Sequence, residues 1–389
     1  MSRLNHYVGG NAVTLLRSGA EYFPAVEAAI EAAQHEVHLQ TYIYAADDIG
    51  RRIGETLKRA VQRGVVVNLL LDGYGSKELA KTYVAELQQA GINLVFYRPQ
   101  VSPWTLQRSR LRRMHRKVTV IDGRCAFVGG INILDDLDVP KDFGPRVDYA
   151  VRLEGPLVQA IHKDARQLWR RIAWLNLRRA SKSDEAQHSA AGPVTAGNVR
   201  AAYLVRDNVL HRRDIERAYL RAIGRARKEI IIANAYFLPG RRFRKALLRA
   251  ARRGVCVRLL LQGRMEYVMM FATHVFYSTF LRHNIVIHEY QKSFMHSKVA
   301  VIDGEWATVG SSNIDPFSLL LAREANIVVR DKVFAAELRA DIEHAIADGA
   351  LHIEAELWQR GRWLKRMLTW LMYGMMRLLL GVLGYPNTH

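Results

Sequence analysis

Hydrophobic and polar positions along this chain form one alternating pattern, and the pattern occurs twice. Val37-His-Leu-Gln-Thr-Tyr-Ile-Tyr44 is a β-rich apolar run; an amphipathic helical stretch follows, then Arg63-Gly-Val-Val-Val-Asn-Leu-Leu-Leu71. Further on, Ile230-Ile-Ile-Ala-Asn-Ala-Tyr-Phe237 leads through a second helical stretch into Arg253-Gly-Val-Cys-Val-Arg-Leu-Leu-Leu261. Each unit predicts a strand, a helix closed by a glycine, and a second strand. Both copies continue through another helical segment into Gly91-Ile-Asn-Leu-Val-Phe-Tyr97 and Asn284-Ile-Val-Ile-His-Glu-Tyr290. Alternation of this kind predicts an α/β fold, with helices covering a largely buried sheet.

The repeat divides the chain. Residues 1–180 form a first domain and residues 199–350 a second, while residues 181–198, rich in Ser, Ala and Gly without an apolar period, read as a linker. From the helix-ending glycine to the following His-x-Lys segment, the first half is nine residues longer than the second. The excess lies in the Arg/Trp/Pro-rich stretch Pro99 to Arg113, which reads as an active-site loop.

Those His-x-Lys segments carry the chemistry. Met114-His-Arg-Lys-Val-Thr-Val-Ile-Asp-Gly123 and Met295-His-Ser-Lys-Val-Ala-Val-Ile-Asp-Gly304 match position for position. On a strand, a histidine and a lysine two apart share one face. Seven residues beyond each aspartate come Gly129-Gly-Ile-Asn132 and Gly310-Ser-Ser-Asn313. The set is His115, Lys117 and Asn132 from one half, and His296, Lys298 and Asn313 from the other. Imidazole near neutral pH serves as nucleophile, general base or general acid. Two ammonium groups and two amides hold the negative charge of a phosphoryl centre. Two histidines on opposite sides of a phosphorus atom permit in-line displacement through a phosphohistidine intermediate. No metal or other cofactor is expected, because the lysines supply the positive charge and no Asp/Glu/His cluster shows metal-ligand spacing.

Each histidine also needs a group to orient it. Asp148 lies 33 residues after His115 and Glu324 lies 28 after His296, and each opens a strand-like run that can lie beside its His-x-Lys strand. Asp122 and Asp303 sit in Ile-Asp-Gly turns, where an aspartate bonds local backbone.

Composition narrows the partners. The chain has 389 residues, with 57 Lys and Arg against 37 Asp and Glu and a formal net charge of +20, so anionic partners are favoured. Nucleic acid and an acidic membrane surface both satisfy that charge. Cys125 and Cys256 lie in separate apolar runs and read as buried small hydrophobes, not a disulfide framework or zinc site. The N-terminal residues lack a signal-peptide core, which places the expected site of action in the cytoplasm.

The tail, residues 351–389, discriminates between the two partners. On a helix from Arg362 to Tyr385, residues Arg362, Arg366, Thr369, Tyr373 and Arg377 share a narrow face, and Trp363, Leu364, Met367, Trp370 and Leu371 belong to the apolar remainder. A spanning helix needs about 20 apolar residues with few charges, so this one is expected to lie in the membrane interface. Arg166 to Arg179, with tryptophans among arginines, and the loop Trp104 to Arg113 are further docking candidates, each basic residue contributing roughly 1 kcal/mol. Tyr267 to Leu281 reads as core or as a wall for acyl chains. An apolar ribbon suits nucleic acid poorly.

The twin segments resemble the phospholipase D superfamily, whose signature is H-x-K-x4-D followed by G-[SG]-x-N, twice per active site. Within it the chain is most similar to bacterial cardiolipin synthases of the shorter B-type, through Leu71-Asp-Gly-Tyr-Gly-Ser76, Arg113-Met-His-Arg-Lys117, Asp148-Tyr-Ala-Val-Arg-Leu-Glu-Gly-Pro156, Ile231-Ile-Ala-Asn-Ala-Tyr-Phe237 and Trp306-Ala-Thr-Val-Gly-Ser-Ser-Asn-Ile-Asp-Pro316. The resemblance implies two phospholipase D-like α/β/α domains, each a mixed, mostly parallel sheet between helices, related by a pseudo-two-fold axis with the active site at their interface. It implies transfer between two phosphatidylglycerol molecules to give cardiolipin and glycerol, or, alternatively, phosphodiester cleavage of other phospholipids or nucleic acid. His115 maps to the nucleophile and His296 to the acid/base, with Lys117, Lys298 and the signature aspartates Asp122 and Asp303 among the catalytic positions. Ser311 joins the asparagines as a phosphate-binding position in one half, since Gly130 replaces it in the other. Peripheral association with anionic phospholipid on the cytoplasmic face of the bacterial inner membrane follows. Ala322 departs from the B-type pattern, which often carries asparagine near this position.

Overall fold

Leu69, Leu70 and Leu71 are all fully buried, as are Ile230, Ile231 and Ile232, so these runs have no solvent face. Such strands form where helices cover both sides of a sheet. The helices between them end as the glycines predicted: Gly64 and Gly254 adopt φ of +87° and +85°. Val65 and Val255 N–H then reach back to the Ala60 and Ala250 carbonyls at 3.0 and 3.1 Å.

The computed structural model describes residues 7–99, 112–140, 142–176, 194–207, 210–264, 272–355 and 374. Most of the Pro99–Arg113 loop, most of the linker and nearly all of the 351–389 tail lie outside these residues. The first half runs β1 (Val8–Arg17), α1 (Ser18–Glu31), β2 (Glu36–Thr41), α2 (Asp48–Gln62), β3 (Val66–Asp72), α3 (Lys81–Gln89), β4 (Asn93–Tyr97), β5 (Lys117–Ile121), β6 (Cys125–Gly129), β7 (Gly144–Val147), β8 (Tyr149–Glu154) and α4 (Leu157–Leu175). The second half runs β9 (Val199–Arg206), α5 (Asp214–Arg225), β10 (Glu229–Asn234), α6 (Arg241–Arg252), β11 (Cys256–Gln262), α7 (Tyr277–Leu281), β12 (Val286–Tyr290), β13 (Ser293–Met295), β14 (Lys298–Ile302), β15 (Trp306–Gly310), α8 (Pro316–Leu320), β16 (Glu324–Arg330), α9 (Lys332–Gly349) and β17 (Ala350–His352), the same order apart from the place of the short strand (β7, β13) and the added α8 and β17.

Strand order in the first half is β1-β8-β6-β5-β2-β3-β4, and in the second β9-β16-β15-β14-β10-β11-β12, with β17 added at the outer edge. The α/β class stands, but the sheet is not mostly parallel. Within this sheet β2-β3-β4 and β10-β11-β12 are parallel and the other pairs run antiparallel. The Ile-Asp-Gly turns account for two of the antiparallel pairs, β5 with β6 and β14 with β15. Asp122 and Gly123 have φ of +51° and +61°, Asp303 and Gly304 +54° and +66°. Two successive left-handed residues reverse the chain tightly, so each His-x-Lys strand is followed by an antiparallel partner.

β1 pairs with β9, joining the two half-sheets into one. Their inner faces also bury a shared core, in which Val118, Val128 and Val151 meet Val299, Val309 and Ile327. Outer cores lie under α1 and α2 in one half and under α5 and α6 in the other. Phe276, Tyr277 and Phe280 belong to the second outer core, so the described part of Tyr267–Leu281 is packing.

Two expectations fail on burial. Cys256 is exposed and Cys125 only partly buried, because Cys256 opens β11 on its outward-facing position. Trp169 is core, packed with Leu70, Val95 and Met114, so it is no docking residue; Trp174, on the same helix, is 76% exposed.

Candidate active site

The two halves meet backbone to backbone just before their functional residues. His115 N–H donates to the Arg323 carbonyl at 2.9 Å, and Arg323 N–H to the Arg113 carbonyl at 2.7 Å. On the other side β13 runs parallel to β7, and His296 N–H donates to the Val147 carbonyl at 2.8 Å. The residue after the Arg323 carbonyl is Glu324, and the one after the Val147 carbonyl is Asp148. His115 Nδ1 therefore lies 3.0 and 3.1 Å from the Glu324 carboxylate oxygens, and His296 Nδ1 lies 2.7 Å from Asp148 Oδ2.

The orienting pairs thus cross between halves, and the expected pairing within a half is overturned. β6 lies between β5 and β8 in the sheet, which keeps Asp148 away from its own histidine's strand. A carboxylate on Nδ1 fixes the proton there and leaves each Nε2 as the reactive nitrogen.

The lysines follow on the same faces. Lys117 Nζ donates to the His115 carbonyl at 2.7 Å and sits 5.4 Å from the Tyr42 ring centre. Lys298 Nζ lies 3.3 Å from Asp148 Oδ2 and also donates to the His296 carbonyl. Tyr42 meets His115 edge-on at 4.9 Å, while Phe294 stacks on His296 at 5.9 Å.

Burial and like charge shape the titration of all four groups. Burial, with the Lys298 charge, brings Lys117 down to about 7. Burial brings Lys298 down to about 8, against the pull of Asp148. His115 is lowered by burial, against the pull of Glu324. Burial and Lys298 bring His296 down to about 3. Burial would raise Asp148, but the Lys298 charge and the His296 hydrogen bond outweigh it and hold it low. Such a set repels cations and accepts an anion.

Lys117 accordingly costs the free enzyme stability. Between pH 7 and 10.5 the unfolded chain holds a lysine proton that the folded chain has lost, so stability rises with pH across that window. We expect Lys117→Met to raise the unfolding temperature by roughly 3 °C at pH 6 while turnover falls by a factor on the order of 10² or more. The thermal gain should shrink towards pH 10. A lowered or pH-independent Tm would refute this account of the lysine.

Other predicted residues fall into different roles. Asp122 accepts N–H groups from Gln34, His35 and Glu36, each at 2.8 Å, and Asp303 accepts those of Arg227, Lys228 and Glu229. Each lies a whole strand from its lysine, about 17 Å at the usual rise. They staple turns and are not catalytic. Ser311 is not a phosphate donor: its hydroxyl proton goes to Glu324 at 2.5 Å, and its oxygen accepts Ala325 N–H. Gly130 answers to the same packing, since a Cβ there would stand 2.3 Å from Asp148 Oδ1. Asn132 Oδ1 accepts Ile43 N–H at 3.1 Å, leaving its NH₂ for an anion. Asn313 is buried, its Oδ1 without a partner among the described residues.

Asp72 and Gln262 escaped sequence reasoning. Asp72 Oδ2 accepts Met114 N–H at 2.8 Å, and Gln262 Oε1 accepts Met295 N–H at 2.9 Å, each fixing the backbone ahead of a histidine. Their equivalent positions, each the last residue of its strand, were the available signal.

The fold also gathers Glu36, His38 and His162, a group with metal-binding potential that spacing did not reveal. In the other half the matching Glu229 pairs with Arg258 and Arg339. Both carboxylates tie side chains together at the strand ends opposite the active site, Glu229 through two arginines and Glu36 through the imidazoles of His38 and His162.

Two His-x-Lys strands meeting across a pseudo-two-fold, with carboxylates exchanged between halves, define a phosphodiester-processing enzyme of the phospholipase D type. The family described as cardiolipin synthase, PLD-like domain matches residues 26–138 and 219–346. The chain is 37% identical to cardiolipin synthase B of Salmonella typhi and, equally, of Escherichia coli K12, over 98% of its own length and 91% of theirs. The fold is similar to that of phosphatidylserine synthase from Haemophilus influenzae Rd KW20, with a TM-score of 0.69 at 13% identity, covering 95% of this chain and 94% of that one. This chain belongs to the cardiolipin synthase family of phospholipase D-like enzymes.

Proposed function

We propose that this enzyme transfers a phosphatidyl group between two phosphatidylglycerol molecules, forming cardiolipin and releasing glycerol. The crossed pairs His115–Glu324 and His296–Asp148 carry the reading, because they leave two reactive Nε2 atoms beside two buried ammonium groups. His115 Nε2 attacks phosphorus: a P–N bond forms, the P–O bond to glycerol breaks, and His296 gives that oxygen its proton. The second lipid's hydroxyl then passes its proton to His296, its oxygen bonds phosphorus, and the P–N bond breaks. One ester bond is lost and one gained. The phosphate anion favours the charged forms of His296 and both lysines, countering their lowered pKa values. Asn132 and Asn313 are placed to assist at the phosphoryl oxygens.

The substrate is a bilayer lipid, so the enzyme works at a membrane surface. Among the described residues no helix is long and apolar enough to cross a membrane; the proposed docking element is the tail, whose sequence interrupts its apolar run with Lys365, Arg366 and Arg377. With labelled phosphatidylglycerol vesicles, cardiolipin and glycerol should appear in equal amounts, the enzyme should co-sediment with the vesicles, and a chelator should leave the rate unchanged. Phosphatidic acid as the sole product would sink the transferase reading.

A further inference from the structure

Arg146 breaks the symmetry of the site. It stands two residues before Asp148, near the end of β7, whereas the position two before Glu324 is Ala322. A guanidinium therefore enters from this position on the His296 side alone. It lies 5.5 Å from the ring centre of Phe294, the ring stacked on His296. Its charge also contributes to lowering Lys298.

Its hydrogen bonding is incomplete. Nη2 donates to the Asp138 carbonyl at 3.0 Å, but Nε and Nη1, both closed off from solvent, have no acceptor among the described residues. Asp136 is near enough to feel the charge, yet its Oδ2 takes Gly19 N–H at 2.5 Å. Buried guanidinium donors without acceptors are costly, and a fork of them matches a phosphate oxygen pair.

The side matters chemically. On the proposed reading, on which this inference rests, His296 handles both the departing glycerol and the incoming hydroxyl. An incoming phosphatidylglycerol carries its own phosphodiester at the far end of a three-carbon glycerol unit. We infer that Arg146 grips the phosphodiester of the acceptor lipid, making the enzyme selective for an anionic alcohol over a neutral one.

The test uses one donor and two acceptors with the full-length enzyme in mixed micelles. Phosphatidylglycerol is the donor; the acceptor is a second phosphatidylglycerol, read as cardiolipin, or labelled free glycerol, read as exchange into the donor. The wild-type enzyme should favour the anionic acceptor, and Arg146→Gln should lower the cardiolipin-to-exchange ratio tenfold or more, mainly through the KM for the acceptor. Arg146→Lys, which keeps the charge but loses the fork, should recover part of that ratio. Equal losses on both acceptors, an unchanged ratio, or a wild-type enzyme indifferent to acceptor charge would overturn the assignment. Exchange reports on the two-histidine chemistry without the lipid acceptor, so its absence in the wild type would instead condemn the proposed function.

Discussion

His115→Ala and His296→Ala should each reduce phosphatidyl transfer by a factor on the order of 10⁴ to 10⁶, the scale on which loss of a nucleophile or its proton partner is felt. Neither change should unfold the protein, because the flanking backbone bonds to Arg323 and Val147 do not involve the imidazoles. The two variants should differ in what they accumulate. Without His296 the first step loses its acid and the second its base; water can still protonate the departing glycerol slowly, so over a long incubation lipid label should collect on His115 as an acid-labile phosphoramidate. Label on His296 in the His115 variant would reverse the roles and keep the chemistry. Substantial turnover by either folded variant would defeat the two-histidine mechanism.

The exchanged carboxylates predict the second large effect. Glu324→Gln and Asp148→Asn should each cost about 10² to 10⁴ in turnover, because an amide no longer enforces the Nδ1–H tautomer or stabilises an imidazolium. Activity alone would not reveal the crossing; imidazole titration followed by NMR would. Glu324 raises the His115 pKa, so Glu324→Gln should lower it further and leave His296 nearly unmoved. Asp148 raises that of His296, so Asp148→Asn should act on His296. A response of the histidine in the same half would place the acids as the sequence alone had suggested.

That contrast shows what kind of information each level carries. The strand–helix–strand repeat, the helix-ending glycines and the shared face of histidine and lysine follow from short-range periodicity and were legible in sequence. So was the Ile-Asp-Gly turn. Its consequence, an antiparallel partner for each His-x-Lys strand, was also available locally but was outweighed by the expectation of a mostly parallel sheet. Asp122 and Asp303 show the limit of a motif: a residue at fixed spacing from a catalytic group is equally well kept for a turn. The distance along β5 and β14 separates the two meanings.

By itself, then, the sequence determined the α/β repeat, the two histidine–lysine pairs and the anionic character of the partner. These depend on side-chain period, turn conformation and charge, all set within a few residues. Only the tertiary structure decided that Glu324 serves His115 and Asp148 serves His296, that Ser311 is committed to Glu324, and that Arg146 stands beside Phe294 on the His296 side. Those facts depend on how the inner faces of two half-sheets dock. That docking is set by dispersed apolar contacts among residues such as Val118, Val151, Val299 and Ile327, which no local pattern encodes.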